Sequence, residues 1–120
     1  MEFNNNKPIY LQIADYVCDK ILSGEWTAGE RIPSVRELGA NLQVNPNTAV
    51  RTYDFLQGES IIFNKRGIGY FVADEALQRI VKLNRAKFFS SQLPSMFKTM
   101  NALGISCTEI LTQYEDFIKQ

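Results

Sequence analysis

Two short helical patterns joined by a two-residue link, and followed at once by a glycine-bearing β pattern, constrain this chain more than any other feature. The first, Ile32 to Leu42 (IPSVRELGANL), carries its own start signal. Ser34 with Glu37 three residues later is a capping box, in which hydroxyl and carboxylate each satisfy a backbone N–H of the other's end. Val35, Leu38 and Leu42 then share an apolar side. Gly39 costs about 1 kcal/mol relative to Ala in a helix interior, so its presence points to the close approach of another helix. Gln43 and Val44 are the link, with Val44 placed to plug the turn. The second pattern, Asn45 to Leu56 (NPNTAVRTYDFL), starts at Asn45 with Pro46 in the first helical position, where a missing N–H is no loss. Ala49, Val50, Tyr53 and Leu56 supply its apolar contacts. Asn47, Thr48, Arg51 and Thr52 leave a polar side near its N-terminal end.

Ile61 to Phe63 and Tyr70 to Val72 are β-forming runs around Asn64, Lys65, Arg66, Gly67, Ile68 and Gly69. Gly67 and Gly69 permit positive φ and close backbone approach at the hairpin tip. Helix, turn, helix and basic hairpin together are the layout of a winged helix-turn-helix. The N-terminal end of the second helix offers unpaired N–H groups and a dipole that favours phosphate. Asn bonds adenine bidentately, and Thr meets a thymine methyl or a phosphate. Lys65 and Arg66, with no acidic residue between Glu59 and Asp74, suit contact with the DNA backbone or minor groove. Either feature alone would describe an ordinary solvated surface; double-stranded DNA as partner rests on their occurring together.

Upstream, Pro8 to Ser23 repeats apolar residues at Ile9, Ile13, Val17 and Ile21, broadened by Tyr10, Tyr16 and Leu22, with Gly24 at the exit. Glu25 to Arg31 reads as a polar turn around Gly29. Trp26 is expected as an anchor laid over the first helix rather than a base-stacking group. An apolar fraction of 45% supports a real core in 120 residues. Thirteen basic and thirteen acidic residues leave zero net charge, and seven basic face eight acidic residues through Val72. That balance argues mildly against DNA binding, whose affinity draws on phosphate neutralisation. The DNA surface must then be small and local: Arg36, Arg51, Lys65 and Arg66. No apolar run reaches membrane-spanning length, and the start MEFNNNKPIY lacks the basic and apolar regions of a signal peptide, so cytoplasmic residence is expected. Cys18 and Cys107 lie far apart in helical patterns, where structural thiols are expected. With no His and scattered carboxylates, neither a metal nor a cofactor site is expected.

Beyond Val72 the chain becomes helical. Asp74 to Phe89 carries Leu77, Ile80, Val81, Asn84 and Phe88 on one face, widened by Leu83 and Phe89. Pro94 interrupts the pattern. Ser90 or Ser91 would cap a renewed helix, or the first helix would kink, and the sequence does not choose. Leu93, Met96, Phe97, Met100 and Leu103 continue the apolar surface to Gly104. Ser106 then caps a last helix through Glu109, with Ile110, Leu111, Tyr114, Phe117 and Ile118 as its stripe. Two such helices cannot bury each other's stripes. The economical arrangement is a symmetric homodimer, which gives a DNA reader a palindromic target. The competing arrangement is a monomer in which these helices cover the winged domain. Methionine and phenylalanine at helical spacing are expected to pack rather than to line a ligand pocket. The expected organisation is a winged helix-turn-helix DNA-binding domain over 1–73 and a two-helix dimerisation region over 74–120, in a mainly α fold with a small β wing.

PIYLQI, SGEWTAGERIPSVREL, NPNTAVRTY and GIGYFV, in this order and spacing between Pro8 and Val72, resemble the GntR family of bacterial transcriptional regulators, and within it the small YtrA-like branch. That branch has only two helices as effector region, which build a dimer; the stretch LGISCTEIL (103–111) is similar to its final turn and helix. The resemblance implies DNA contact by Ser34 and Arg36 at the Pro-Ser pair. It implies a recognition helix starting at Asn45, Pro46, Asn47 and Thr48, and a wing tip at Arg66 and Gly67 beside Lys65. Many members carry arginine where this chain has Pro46, so base reading passes to Asn47, Thr48 and Arg51. The family's glycine before the first wing strand is Ser60 here, so the helix exit uses Gly58 or a different turn.

The expected function is sequence-specific DNA binding by a transcriptional regulator, a homodimeric repressor on a palindromic operator. A winged-helix protein-interaction module without DNA binding is the alternative that zero net charge permits. An enzyme is not expected, because no His serves as base, neither Cys has a partner, and no carboxylate pair is framed in a cleft. Whether a small-molecule effector exists is not written in the sequence.

Overall fold

Helix α1 (Ile9–Leu22), α2 (Val35–Leu42) and α3 (Pro46–Gly58) converge on one core, where Ile13, Val17, Leu38, Tyr53 and Leu56 have lost essentially all solvent contact. Burying each such side chain is worth roughly 1.5–3 kcal/mol before entropy is counted. The computed structural model describes residues 1–120, in two compact units, Met1–Leu83 and Asn84–Gln120. The fold is mainly helical with a two-stranded wing, β1 (Ile62–Lys65) and β2 (Gly69–Val72), as the sequence leads one to expect.

Residue type decides the local ends. The capping box at Ser34 is complete: Glu37 N–H donates to Ser34 Oγ at 3.0 Å and Ser34 N–H to Glu37 Oε1 at 3.1 Å. Gln43 closes α2 in the left-handed region at φ 56°, with Val44 N–H on the Gly39 carbonyl at 2.9 Å. A Cβ at Gly39 would stand 3.0 Å from the Val44 carbonyl oxygen and 3.5 Å from Pro46 Cα. What approaches Gly39 is therefore the turn and the first residue of α3. Trp26 packs edge-on against Tyr16 of α1, centroids 6.5 Å apart, as an anchor.

The expectations for Val50 and Thr52 in α3 are corrected. Val50 is exposed, while Thr52 is fully buried, its hydroxyl 2.8 Å from the Tyr10 carbonyl and 3.2 Å from that of Thr48. The helix is thus turned so that Thr52, not Val50, meets α1, and bonds to carbonyl oxygens remove the penalty of burying a hydroxyl. At the exit, Ser60 itself takes the left-handed conformation, φ 60°, with Ile61 N–H on the Leu56 carbonyl at 3.0 Å. Gly58 remains inside the helix.

The strands pair antiparallel, Ile62 with Val72, Phe63 with Phe71, Asn64 with Tyr70 and Lys65 with Gly69. They reach closer to the tip than the β-forming runs suggest, so Lys65 lies in a strand and the tip is Arg66, Gly67 and Ile68. The segment read as a polar turn also supplies an edge. Gly29 N–H donates to the Val72 carbonyl, Val72 N–H to Glu30 and Ile32 N–H to Tyr70, all at 2.9–3.0 Å. The wing is thereby stitched to the chain between α1 and α2.

Helix α4 (Ala76–Lys87) begins in this first unit, where Ala76 and Ile80 join the core; the unit accordingly runs to Leu83, past residue 73. In the second unit Pro94 neither ends the helix nor follows a serine cap. A π-helical turn, Phe88–Gln92, leads directly into α5 (Leu93–Leu103), with helical φ and ψ at Lys87, Gln92 and Leu93. Ser90 Oγ lies 3.4 Å from the Lys87 carbonyl instead of capping. A π turn accommodates the proline because its wider spacing relieves the clash and the missing donor at the preceding turn. Gly104, at φ 68°, ends α5, and Ser106 with Glu109 forms a second complete capping box for α6 (Cys107–Ile118). Cys18 is buried, but Cys107 is exposed at the start of α6, so only Cys18 has the surroundings of a structural thiol.

Candidate nucleic-acid interface

The first turn of α3 is built to be presented. Asn45 Oδ1 accepts the Asn47 N–H at 2.8 Å, and Pro46 fills the first helical position. Asn47 and Arg51 are exposed and Thr48 half-buried. All three line one side of an open groove of about 360 Å³, whose other side is Pro8, Ile9 and Tyr10 at the start of α1. An amide, a hydroxyl and a guanidinium thus line the same groove from positions i, i+1 and i+4 of one helix, with donors and acceptors of the kinds that base edges and phosphates pair with. Nothing in the groove is a nucleophile with a base, and no group of three or more His, Cys, Asp or Glu side chains could hold a metal.

Arg36 stands exposed at the second position of α2, and Ser34 is the cap of that helix. The Ser34 oxygen accepts the Glu37 N–H, and its hydroxyl also faces the Glu37 carboxylate. Glu37 holds its carboxyl below the ordinary carboxylate value, first through the Ser34 N–H it accepts and then through the Ser34 hydroxyl, with Arg31 adding a smaller attraction. The α2 N-terminus therefore already carries a negative charge, with Arg36 exposed beside it.

On the wing, Phe63 and Phe71 stack across the strands with centroids 5.6 Å apart and planes 19° apart. Lys65 Nζ lies 4.7 Å from the Phe71 centroid and 5.9 Å from that of Phe63. Its ammonium is thus held over an aromatic face rather than swinging from the tip. Arg66 and Gly67, the latter at φ 78°, are exposed at the tip. Gly69 at φ 143° passes under Arg31, whose Nε is 2.9 Å from where a Cβ would be.

Of the ten residues taken from the sequence, Asn47, Thr48 and Arg51 share the groove, with Asn45 and Pro46 at the helix start behind them. Ser34 and Arg36 form a second group at α2, and Lys65, Arg66 and Gly67 a third on the wing. Sequence reasoning missed Tyr10, counted only as part of an apolar stripe, and Arg31, counted as part of a turn. No local signal marks either, since their contacts join segments some 40 residues apart.

Residues 9–72 match the family model described as bacterial regulatory proteins, gntR family. Over 116 residues the chain is 37% identical to the HTH-type transcriptional regulator YhcF of Bacillus subtilis, covering 97% of this chain and 94% of YhcF. It is 29% identical to the HTH-type transcriptional repressor YtrA of the same bacterium, covering 97% of this chain and 85% of YtrA. Among solved structures it resembles a GntR-family transcriptional regulator from Bacteroides thetaiotaomicron, at 46% identity and a TM-score of 0.81 over 93% of this chain and 97% of that one.

Proposed function

This chain belongs to the GntR family of bacterial regulatory proteins, non-catalytic DNA-binding transcriptional regulators, and from that premise we propose that it is a homodimeric repressor of the YtrA-like branch that occludes a palindromic operator. The observation that carries the reading is the exposed edge of Asn47, Thr48 and Arg51 at a capped, proline-started helix end. In this reading residues 1–73 bind DNA. Arg36 and Ser34 hold a phosphate, Asn45 and Pro46 shape the recognition helix, and Asn47, Thr48 and Arg51 meet base edges. Lys65, Arg66 and Gly67 follow the backbone or the minor groove.

Residues 74–120 form the dimer. Phe88, Phe89, Phe97, Leu111, Tyr114 and Phe117 are all exposed in one chain. Apolar surface of that extent belongs against a partner, and a two-fold partner matches a palindromic site. Likeness to YtrA over most of both chains supports the branch, and that relative's description as a repressor supports the direction of control. A repressor acts on the chromosome, so the cytoplasm is its place. No helix is long and apolar enough to cross a membrane.

The test is selection from a random duplex pool, followed by binding at several salt concentrations and by sedimentation of the protein. Palindromic selected sites, strong salt dependence and a mass near twice 13.7 kDa are expected. Asn47→Ala should cost about 1–3 kcal/mol on the selected site and almost nothing on scrambled DNA. Failure to enrich any duplex would favour a protein-interaction module, and a monomer would remove the dimer.

A further inference from the structure

We infer that Tyr10, at the start of α1, is a positioning residue for DNA recognition: its ring is the platform that holds the Arg51 guanidinium at the reading edge of α3. The inference rests on the DNA-binding reading above. The Arg51 guanidinium carbon lies 4.2 Å from the Tyr10 ring centroid, well within cation–π range. The salt bridges of the chain involve other residues, so the charge of Arg51 is held by an aromatic face and not neutralised by a carboxylate. It stays available to a phosphate or a guanine edge. A long arginine in free rotation would instead have to be ordered when DNA binds, at a cost in affinity.

The platform is itself fixed to α3. The Tyr10 carbonyl accepts the hydroxyl of the fully buried Thr52 at 2.8 Å, and its ring meets Phe55 edge-on at 6.4 Å. Arg51, Thr52 and Phe55 therefore all engage Tyr10 within about one turn of α3. On the other side Gln12, itself buried, clasps the segment leading into α1. Its Nε2 donates to the carbonyls of Asn4 and Lys7 at 2.8 Å, and its Oε1 accepts the Asn4 N–H at 3.1 Å. The Thr52 bond and the Phe55 contact hold Tyr10 against α3 while Gln12 fastens the segment before it, so the start of α1 and the reading edge of α3 line one groove. Its role is exerted through Arg51 and requires the ring, not the hydroxyl.

The experiment compares Tyr10→Phe, Tyr10→Leu, Arg51→Ala and the Tyr10→Leu/Arg51→Ala double variant with the wild type on a selected duplex, with thermal melting of each protein alone. Tyr10→Phe should bind within about twofold of wild type, whereas Tyr10→Leu should lose about three- to tenfold. The double variant should bind no worse than Arg51→Ala, because the platform acts only through the arginine. In the wild-type protein free of DNA, the Arg51 δ-protons should resonate upfield, shifted by the ring, and lose that shift in Tyr10→Leu. Wild-type affinity in a folded Tyr10→Leu, additive losses in the double variant, or a Tyr10→Phe defect equal to that of Tyr10→Leu would each overturn the inference. Should Tyr10→Leu not fold, an unshifted Arg51 signal in the wild type overturns it and a shifted one, with full binding by Tyr10→Phe, supports it. If the wild type itself bound no duplex, the DNA-binding reading would fall and this inference with it; a wild type that binds beside a neutral Tyr10→Leu removes the inference alone.

Discussion

The Tyr53 hydroxyl, on a side chain with no exposed surface, donates a 2.6 Å hydrogen bond to the Pro33 carbonyl. One bond thus ties the middle of α3 to the residue just before the α2 cap. The Tyr70 ring of β2 leans on the same side chain, centroids 4.7 Å apart. Tyr53 therefore references both helices and the wing to one point, and it sets where Ser34 and Arg36 stand relative to Asn47 and Arg51.

Replacing Tyr53 by Phe should lower stability by about 1–2 kcal/mol, since the Pro33 carbonyl loses its partner in a buried place. Burial, the largest cause, and the neighbouring Tyr70 raise the Tyr53 phenol above its ordinary value of 10.0. Its stabilising effect is then present below the unfolded value and lost as pH rises above it. Urea midpoints followed into the alkaline range should fall more steeply for the wild type than for Tyr53→Phe. Parallel curves would assign the alkaline loss to other groups.

Acid acts in the opposite sense at the α2 cap. Because the folded carboxyl of Glu37 titrates below its ordinary 4.5, its contribution is present above that value and disappears as pH falls through the lowered one. Glu37→Gln keeps an acceptor for the Ser34 N–H but cannot titrate. Between about pH 6 and pH 3 its melting temperature should drop less than that of the wild type. An identical drop would mean that the capping box adds nothing pH-dependent.

Ser60 occupies a left-handed conformation that glycine enters without strain. Ser60→Gly should raise stability by roughly 0.5–1 kcal/mol, the relief of strain outweighing the added freedom of the unfolded chain. A lower denaturation midpoint would show that Ser60 is held there by more than its backbone.

Neutralising both wing cations, Lys65→Gln with Arg66→Gln, should weaken selected and scrambled duplexes alike and reduce the salt slope by about 1–2 units. A loss confined to the selected duplex would make the wing a reader of sequence.

What residue types dictate within three or four positions was legible from the chain alone. The capping boxes at Ser34 and Ser106, the Asn45–Pro46 start, the glycine stop at Gly104 and the order of helices and hairpin all rest on interactions that close locally. That Asn47, Thr48 and Arg51 share one polar edge was legible for the same reason, since one helix turn suffices to align it. Only the tertiary structure decided which face of α3 is buried. It exchanged Val50 for Thr52 because a carbonyl of α1 lay within reach of that hydroxyl. It also placed Gly29–Ile32 against β2, carried the helix past Pro94 through a π turn, and brought Arg51 onto Tyr10. These outcomes depend on backbone partners and ring faces supplied from distant segments, and no spacing along the chain encodes which segment arrives.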